Sequence, residues 1–130
     1  MSRLPRFQEH LKTGFTAEAV SAACYRAYAD RAERDGRPKL AAKWRELAAG
    51  KDRLAVLQLE AAGRVRDGST ALRDALAEDQ YENDVLYPKM MREVDAETAD
   101  VFRRVVEAQQ QHVASLSELG KALQASSGDL

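Results

Sequence analysis

Four stretches of this chain carry apolar residues at alternating spacings of three and four, the period of amphipathic helices. Polar side chains interrupt all four apolar stripes. Assigned to heptads, the stripes comprise Glu18, Ala22, Tyr25, Ala29 and Ala32; Leu40, Trp44, Leu47, Lys51, Leu54 and Gln58; Leu72, Ala75, Asp79, Glu82 and Leu86; and Phe102, Val105, Gln109, His112, Leu116, Leu119 and Leu123. Buried charge is costly unless it is paired or bound to metal. At one level of a helical bundle, these interruptions would form a single polar centre.

Turn and cap residues set the predicted helix ends in the first half of the chain. Thr16 is a suitable N-cap for the first helix, and Gly36 suits a left-handed C-cap that ends this helix near Asp35. Pro38 then falls in the first turn of the second helix, which runs to about Ala62. The short connection predicts an antiparallel hairpin of the first two helices.

The second half repeats this arrangement after a connection with a glycine at each end, residues 63–69. Ser69 or Thr70 is predicted to cap the third helix, and Asp95 to cap the fourth. Pro88 lies inside the third helix and is expected to kink it or to distort it locally. The resulting organisation is an N-terminal arm over residues 1–15, a four-helix bundle over 16–124 and a flexible tail over 125–130.

Composition and charge narrow the class of protein. At 130 residues the chain is long enough for one domain with one sizeable core. Its formal net charge of −1 and the absence of a basic face argue against nucleic acid as a partner. No apolar run is long enough to span a membrane, and no signal peptide is recognisable, so a cytoplasmic location is expected. The single cysteine, Cys24, cannot form an internal disulfide.

Two pairs of polar residues have the spacing of metal ligands. In bundles that hold two oxygen-bridged metal ions, two helices each supply a Glu, and the other two each supply a Glu with a His three residues later. Gln109 and His112 have that second spacing, with an amide in place of the carboxylate. Asp79 and Glu82 place two carboxylates on one face of the third helix.

The run Asp79-Gln80-Tyr81-Glu82-Asn83-Asp84-Val85-Leu86-Tyr87-Pro88 resembles the third helix of the rubrerythrin family of ferritin-like proteins. In that family a Glu-Asn-Tyr-Glu run leads to a Tyr-Pro pair. Val101-Phe102-Arg103 with His112 is similar to the fourth helix, and residues 25–29 with Gly36 are similar to the first. The resemblance covers about residues 16–119. It implies an all-α ferritin-like four-helix bundle and places Glu18 at a ligand position.

The family's dinuclear ligand set is incomplete in this chain. The Glu-x-x-His of the second helix is replaced by Lys51 and Leu54, and the Glu of the fourth helix is replaced by Gln109. The rubredoxin-like cysteine module is absent, because one cysteine cannot build it. The family's ligand positions retain Glu18, Asp79, Glu82 and His112, which are the candidate metal ligands.

Three interpretations of the polar centre stay open. In the first, Lys51 is buried, pairs with Glu18, Glu82 or Asp79, and replaces the positive charge of a metal, so no cofactor is required. In the second, Glu18, Glu82 and His112 hold one divalent ion of iron, manganese or zinc, with Asp79 nearby. In the third, the bare cluster acts in acid–base catalysis, with Glu82, His112, Lys51 and Tyr25 as candidate catalytic residues.

These interpretations give two function hypotheses. The leading one is a rubrerythrin-like, non-ferroxidase binding or structural protein with a degenerate dinuclear iron site. The alternative is an oxidoreductase or small-molecule enzyme that uses one divalent metal or the bare carboxylate and histidine cluster. In the family's bundle the second and third helices run parallel, so the short link between them would be taut. A taut hinge favours a homodimer, with exchange of helical hairpins between subunits as one form of it.

Overall fold

The computed structural model of the chain describes residues 4–126 and 128–130. Its helices are α1 (Phe7–Arg34), α2 (Pro38–Ala61), α3 (Gly68–Tyr81), α4 (Tyr87–Met91) and α5 (Ala96–Ala125). A π-helical turn, Glu82–Leu86, joins α3 to α4 without a break. The described residues contain no strand, and the predicted all-α class with four long helical segments is confirmed. No described helix has the length and apolarity needed to cross a membrane.

The chain divides into two compact units, one up to Val65 and one from Arg66 onward. The first unit is the hairpin of α1 and α2. Gly36, with a φ of +74°, follows the C-cap Asp35, and Pro38 occupies the first turn of α2. This confirms the predicted turn. Glycine fits at position 36 because its lack of a Cβ removes the steric cost of a positive φ.

The first helix begins nine residues before the predicted N-cap, so the predicted start at Thr16 is wrong. α1 starts at Phe7, and the Thr16 hydroxyl donates to the carbonyl oxygen of Lys12 inside the helix. Phe7, Leu11 and Phe15 recur every four residues and are half-buried, so they extend the apolar face of α1 toward its N-terminus. The Gln8 amide also donates to the carbonyl oxygen of Ala62, which ties this extension to the end of α2.

The buried seam of the first unit consists of alanines. Ala22 and Ala29 of α1 and Ala41 of α2 are fully buried, and Ala32, Ala48 and Ala55 are nearly so. In α2 these alanines recur every seven residues. Leu40, Leu47 and Leu54 of the predicted stripe are therefore not buried against α1 and stay close to half exposed. Trp44 and Lys51 of the same stripe do contact α1. Small side chains let two helix backbones approach closely, which is why the alanines form the seam.

The second unit contains α3, the π turn, α4 and α5. Asp67, rather than Ser69 or Thr70, caps α3: its carboxylate accepts from the Thr70 backbone N–H at 3.0 Å and from the Thr70 hydroxyl at 2.9 Å. Asp95 caps α5 as predicted and accepts from the Thr98 N–H at 2.8 Å. These contacts with threonine lower the pKa of both aspartates.

The distortion predicted at Pro88 is a π turn. The Tyr87 N–H donates to the carbonyl oxygen of Glu82, five residues back, instead of four. Proline has no N–H to continue the α-helical ladder and crowds the preceding turn, which favours local widening there. Single π turns inside α-helices often accompany functional residues. Here the turn begins at Glu82, one of the candidate ligands.

Candidate functional site

The polar interruptions of α1 and α2 meet inside the first unit. Lys51 Nζ lies 2.9 Å from Glu18 Oε2, and the two side chains are 30% and 24% exposed. This confirms Glu18 as one of the three predicted partners of Lys51, while the burial predicted for Lys51 is only partial. Polar contact with Glu18 raises the pKa of Lys51 against the opposing effect of desolvation. Lys51 is therefore cationic at neutral pH.

Three aromatic rings lie close to one another in the same hairpin. The ring centroids of Tyr25 and Trp44 are 5.0 Å apart, and those of Tyr28 and Trp44 are 5.1 Å apart. Tyr25 also contributes electrostatically to the raised pKa of Lys51. Trp44 packs against the core alanines 29, 32 and 41. Tyr25 is therefore the member of this aromatic cluster that also influences the charge of Lys51.

In the second unit, the carboxylate of Glu82 accepts a hydrogen bond from the neutral amide of Gln109. Gln109 Nε2 of α5 donates to Glu82 Oε1 in the π turn at 3.3 Å, and both side chains are partly buried. The oxygen of the same amide, Gln109 Oε1, is buried without a hydrogen-bond partner. Sequence reasoning treated Gln109 only as a lost ligand. Its spacing of three from His112 placed it on the correct face of the helix, but its role as a donor to Glu82 was not predicted.

Asn83 is a polar residue that the sequence reasoning missed. Its side chain is only 8% exposed, and its Oδ1 has no hydrogen-bond partner. Asn83 lies one position off the predicted heptad stripe, so periodicity gave no reason to expect its burial. The available signal was Pro88, because a helix widened by one residue shifts the side chains before the proline around its axis.

The remaining candidates differ in exposure. Asp79 is half-buried near the end of α3, and His112 is exposed on α5. Within the described residues, no group of three or more His, Cys, Asp or Glu side chains is placed to hold a metal ion. The structure thus brings Lys51 to Glu18 and Gln109 to Glu82, and each of these contacts lies inside one unit.

The chain matches no model of a known protein family, and no curated protein is significantly similar to it.

Proposed function

We propose that this chain is a ferritin-like helical protein whose own side chains occupy the carboxylates that would otherwise bind a pair of iron ions. The observation that carries the proposal is the 2.9 Å separation of Lys51 Nζ from Glu18 Oε2. In the rubrerythrin resemblance, Glu18 is a metal ligand and Lys51 replaces one. An ammonium group at this position supplies positive charge to the carboxylate and repels a metal cation.

The second unit supports the proposal independently. Gln109 also replaces a carboxylate ligand in the resemblance, and its amide donates to Glu82, another ligand position. An amide is a neutral and weaker ligand than a carboxylate, and here one of its N–H groups is directed at the carboxylate itself. In each unit, therefore, a neighbouring side chain contacts one carboxylate at a ligand position.

The function that follows is binding or structural rather than ferroxidase or peroxide-reducing. Those reactions, in the family the chain resembles, depend on two bridged iron ions. A ferritin-like fold stabilised by ion pairs and hydrogen bonds keeps its helical scaffold and its surfaces while losing that chemistry. We further propose that the protein works as a homodimer, as the short link between its hairpins predicts.

Metal analysis and iron loading test this proposal. Protein purified without chelator should contain only traces of iron, manganese and zinc. Anaerobic ferrous loading followed by oxygen should give no absorption from a bridged di-iron species, because Lys51, Leu54 and Gln109 stand at three ligand positions. Two tightly bound iron ions per chain would overturn the proposal. One tightly bound divalent ion would overturn it in favour of the single-metal enzyme.

The ion pair also predicts a dependence of stability on alkaline pH. Because contact with Glu18 raises the pKa of Lys51 above the ordinary value of 10.5, the pair should stabilise the fold fully below that pH. Its contribution should disappear as the pH rises through the folded-state pKa. Urea unfolding of the parent and of Lys51→Met at several alkaline pH values measures this: the stability difference should shrink as the pH rises.

An exposed lysine provides the control for this measurement. Lys39 lies in the first turn of α2 and has no ion-pair partner among the described residues. Lys39→Met removes the same charge, so its difference from the parent should change little over the same pH range. A stability difference for Lys51→Met that stays constant with pH would contradict a role for the charged pair.

A further inference from the structure

α2 carries a third face, distinct from its alanine seam and from its leucine stripe. Val56 and Leu57 lie on this face and are 46% and 61% exposed. Arg53 precedes Val56 by three residues, and Glu60 follows Leu57 by three. At the angular spacing of an α-helix, the four residues fall within an arc of about 100°. We call Arg53, Val56, Leu57 and Glu60 the α2 patch.

The charges of the α2 patch are unpaired. Neither Arg53 nor Glu60 takes part in any ion pair of the described residues, whereas the neighbouring Asp52 lies 2.9 Å from Arg26 of α1. Both charged side chains are exposed. They are too far apart along α2 to meet each other, since seven residues of helix span about 10 Å. The patch therefore presents two apolar side chains between one free cation and one free anion.

This arrangement is complementary to itself. We propose that the α2 patch is a dimer interface, occupied by α2 of a second copy of the chain in antiparallel orientation. A two-fold axis that passes between Val56 and Leu57 relates the two copies. A residue that precedes the axis by a given number of positions then lies opposite the partner residue that follows the axis by the same number. Arg53 of one copy then faces the partner's Glu60, and Glu60 faces the partner's Arg53. Val56 packs beside the partner's Val56 on one side of this line of charges, and Leu57 beside the partner's Leu57 on the other.

The order of the charges along α2 favours a second copy of the chain as the partner that binds the α2 patch. An isologous contact requires that a surface be its own complement. The α2 patch meets this requirement only in the antiparallel orientation, because a parallel pairing would oppose Arg53 to Arg53 and Glu60 to Glu60. Like charges in direct opposition disfavour association. The same logic fixes the register, since a shift along the helix separates each cation from its anion.

The interface also limits the expected affinity. One helix pair with two apolar residues from each copy buries less surface than a standard interface, so a weak dimer is expected. Association through the α2 patch does not depend on the metal content of the protein.

Sedimentation equilibrium of the full chain, over a concentration range of about 1 µM to 1 mM, tests the interface. The parent should associate to a dimer. Arg53→Glu and Glu60→Arg should each weaken association about tenfold or more, because each change acts twice across the two-fold axis and turns attraction into repulsion. The double variant Arg53→Glu/Glu60→Arg restores opposite charges and should associate nearly as well as the parent.

Lys39→Glu provides the matched control, since it makes the same change in net charge on α2 far from the patch. It should leave the dimer constant almost unchanged, and circular dichroism should show that every variant stays helical. A parent that remains monomeric over the whole range overturns the inference. So does a double variant that associates no better than the single ones. A dimer insensitive to Arg53→Glu, as exchange of helical hairpins would produce, also overturns it.

Discussion

Replacing Ala29 by leucine should lower the free energy of unfolding by about 3 kcal/mol, the upper end of the usual range for overpacked cores. Ala29 is fully buried in the alanine seam between α1 and α2 and packs with Ala32, Ala41 and Trp44. A larger side chain there must push the two helices apart and so disturb the neighbouring contacts of the seam. Thermal unfolding followed by circular dichroism should show a Tm lowered by about 10 °C or more.

Ala27→Leu is the matched control, because Ala27 is exposed on the same helix. The two variants carry the same substitution with the same helix propensity, so a difference between them reports packing alone. The exposed variant should unfold at nearly the parent Tm. If Ala29→Leu were as stable as Ala27→Leu, the helices would not approach closely at this level, and the description of the first unit would be wrong.

The helix ends that depend on nearby residues could be predicted from the sequence. The turn at Gly36 and Pro38 requires only that one residue adopt a positive φ and that the next helix begin without an N–H. The cap at Asp95 likewise depends on an N–H three residues away. Such contacts join residues that are only a few positions apart, so the local sequence is enough to predict them.

The start of α1 was placed wrongly because it depends on a distant contact. Gly14 disfavours a helix in the arm predicted over residues 1–15, but the Gln8 amide donates to the carbonyl oxygen of Ala62. Glycine costs a helix only about 1 kcal/mol relative to alanine, which contacts of this kind can offset. The predicted division into an arm over 1–15 and a bundle over 16–124 relied on the same reading of the sequence.

The buried face of α2 was misjudged for a different reason. Hydrophobic periodicity favours large residues, so it selected Leu40, Leu47 and Leu54 and passed over the alanines one position further on. Both sets repeat every seven residues. Only the approach distance of the two helices decides between them, and in a close hairpin the smaller side chains are buried.

The candidate site was predicted in part. The sequence predicts that Lys51 pairs with Glu18, Glu82 or Asp79, and the ion pair with Glu18 confirms the first of these partners. The contact of Gln109 with Glu82 was not predicted, because in the resemblance Gln109 only marks a position where a carboxylate ligand has been lost. Asn83 was missed because the widening of the helix before Pro88 changes which residues face inward.

Restoring the family's ligands should convert the protein into one that binds metal. The variant Lys51→Glu/Leu54→His/Gln109→Glu replaces an ammonium, an alkyl group and an amide with the carboxylates and imidazole that the resemblance expects. In the family that the chain resembles, these positions and those of Glu18, Asp79, Glu82 and His112 together hold two bridged metal ions. Under the proposed function, ferrous loading of this variant should give about two bound ions per chain, and the parent should bind none.

The single variant Lys51→Glu distinguishes the effect of removing the ammonium charge from the effect of adding metal ligands. It removes the ammonium that repels cations but leaves Leu54 and Gln109 in place, so it should bind metal far more weakly than the triple variant. Adding Glu82→Ala to the triple variant should abolish binding, because the resemblance assigns a ligand position to Glu82. A triple variant that stays helical and binds no metal would show that these positions are not in the family's register. In that case the ion pair of Lys51 with Glu18 would be an ordinary feature of the α1–α2 hairpin, with no relation to a former metal centre.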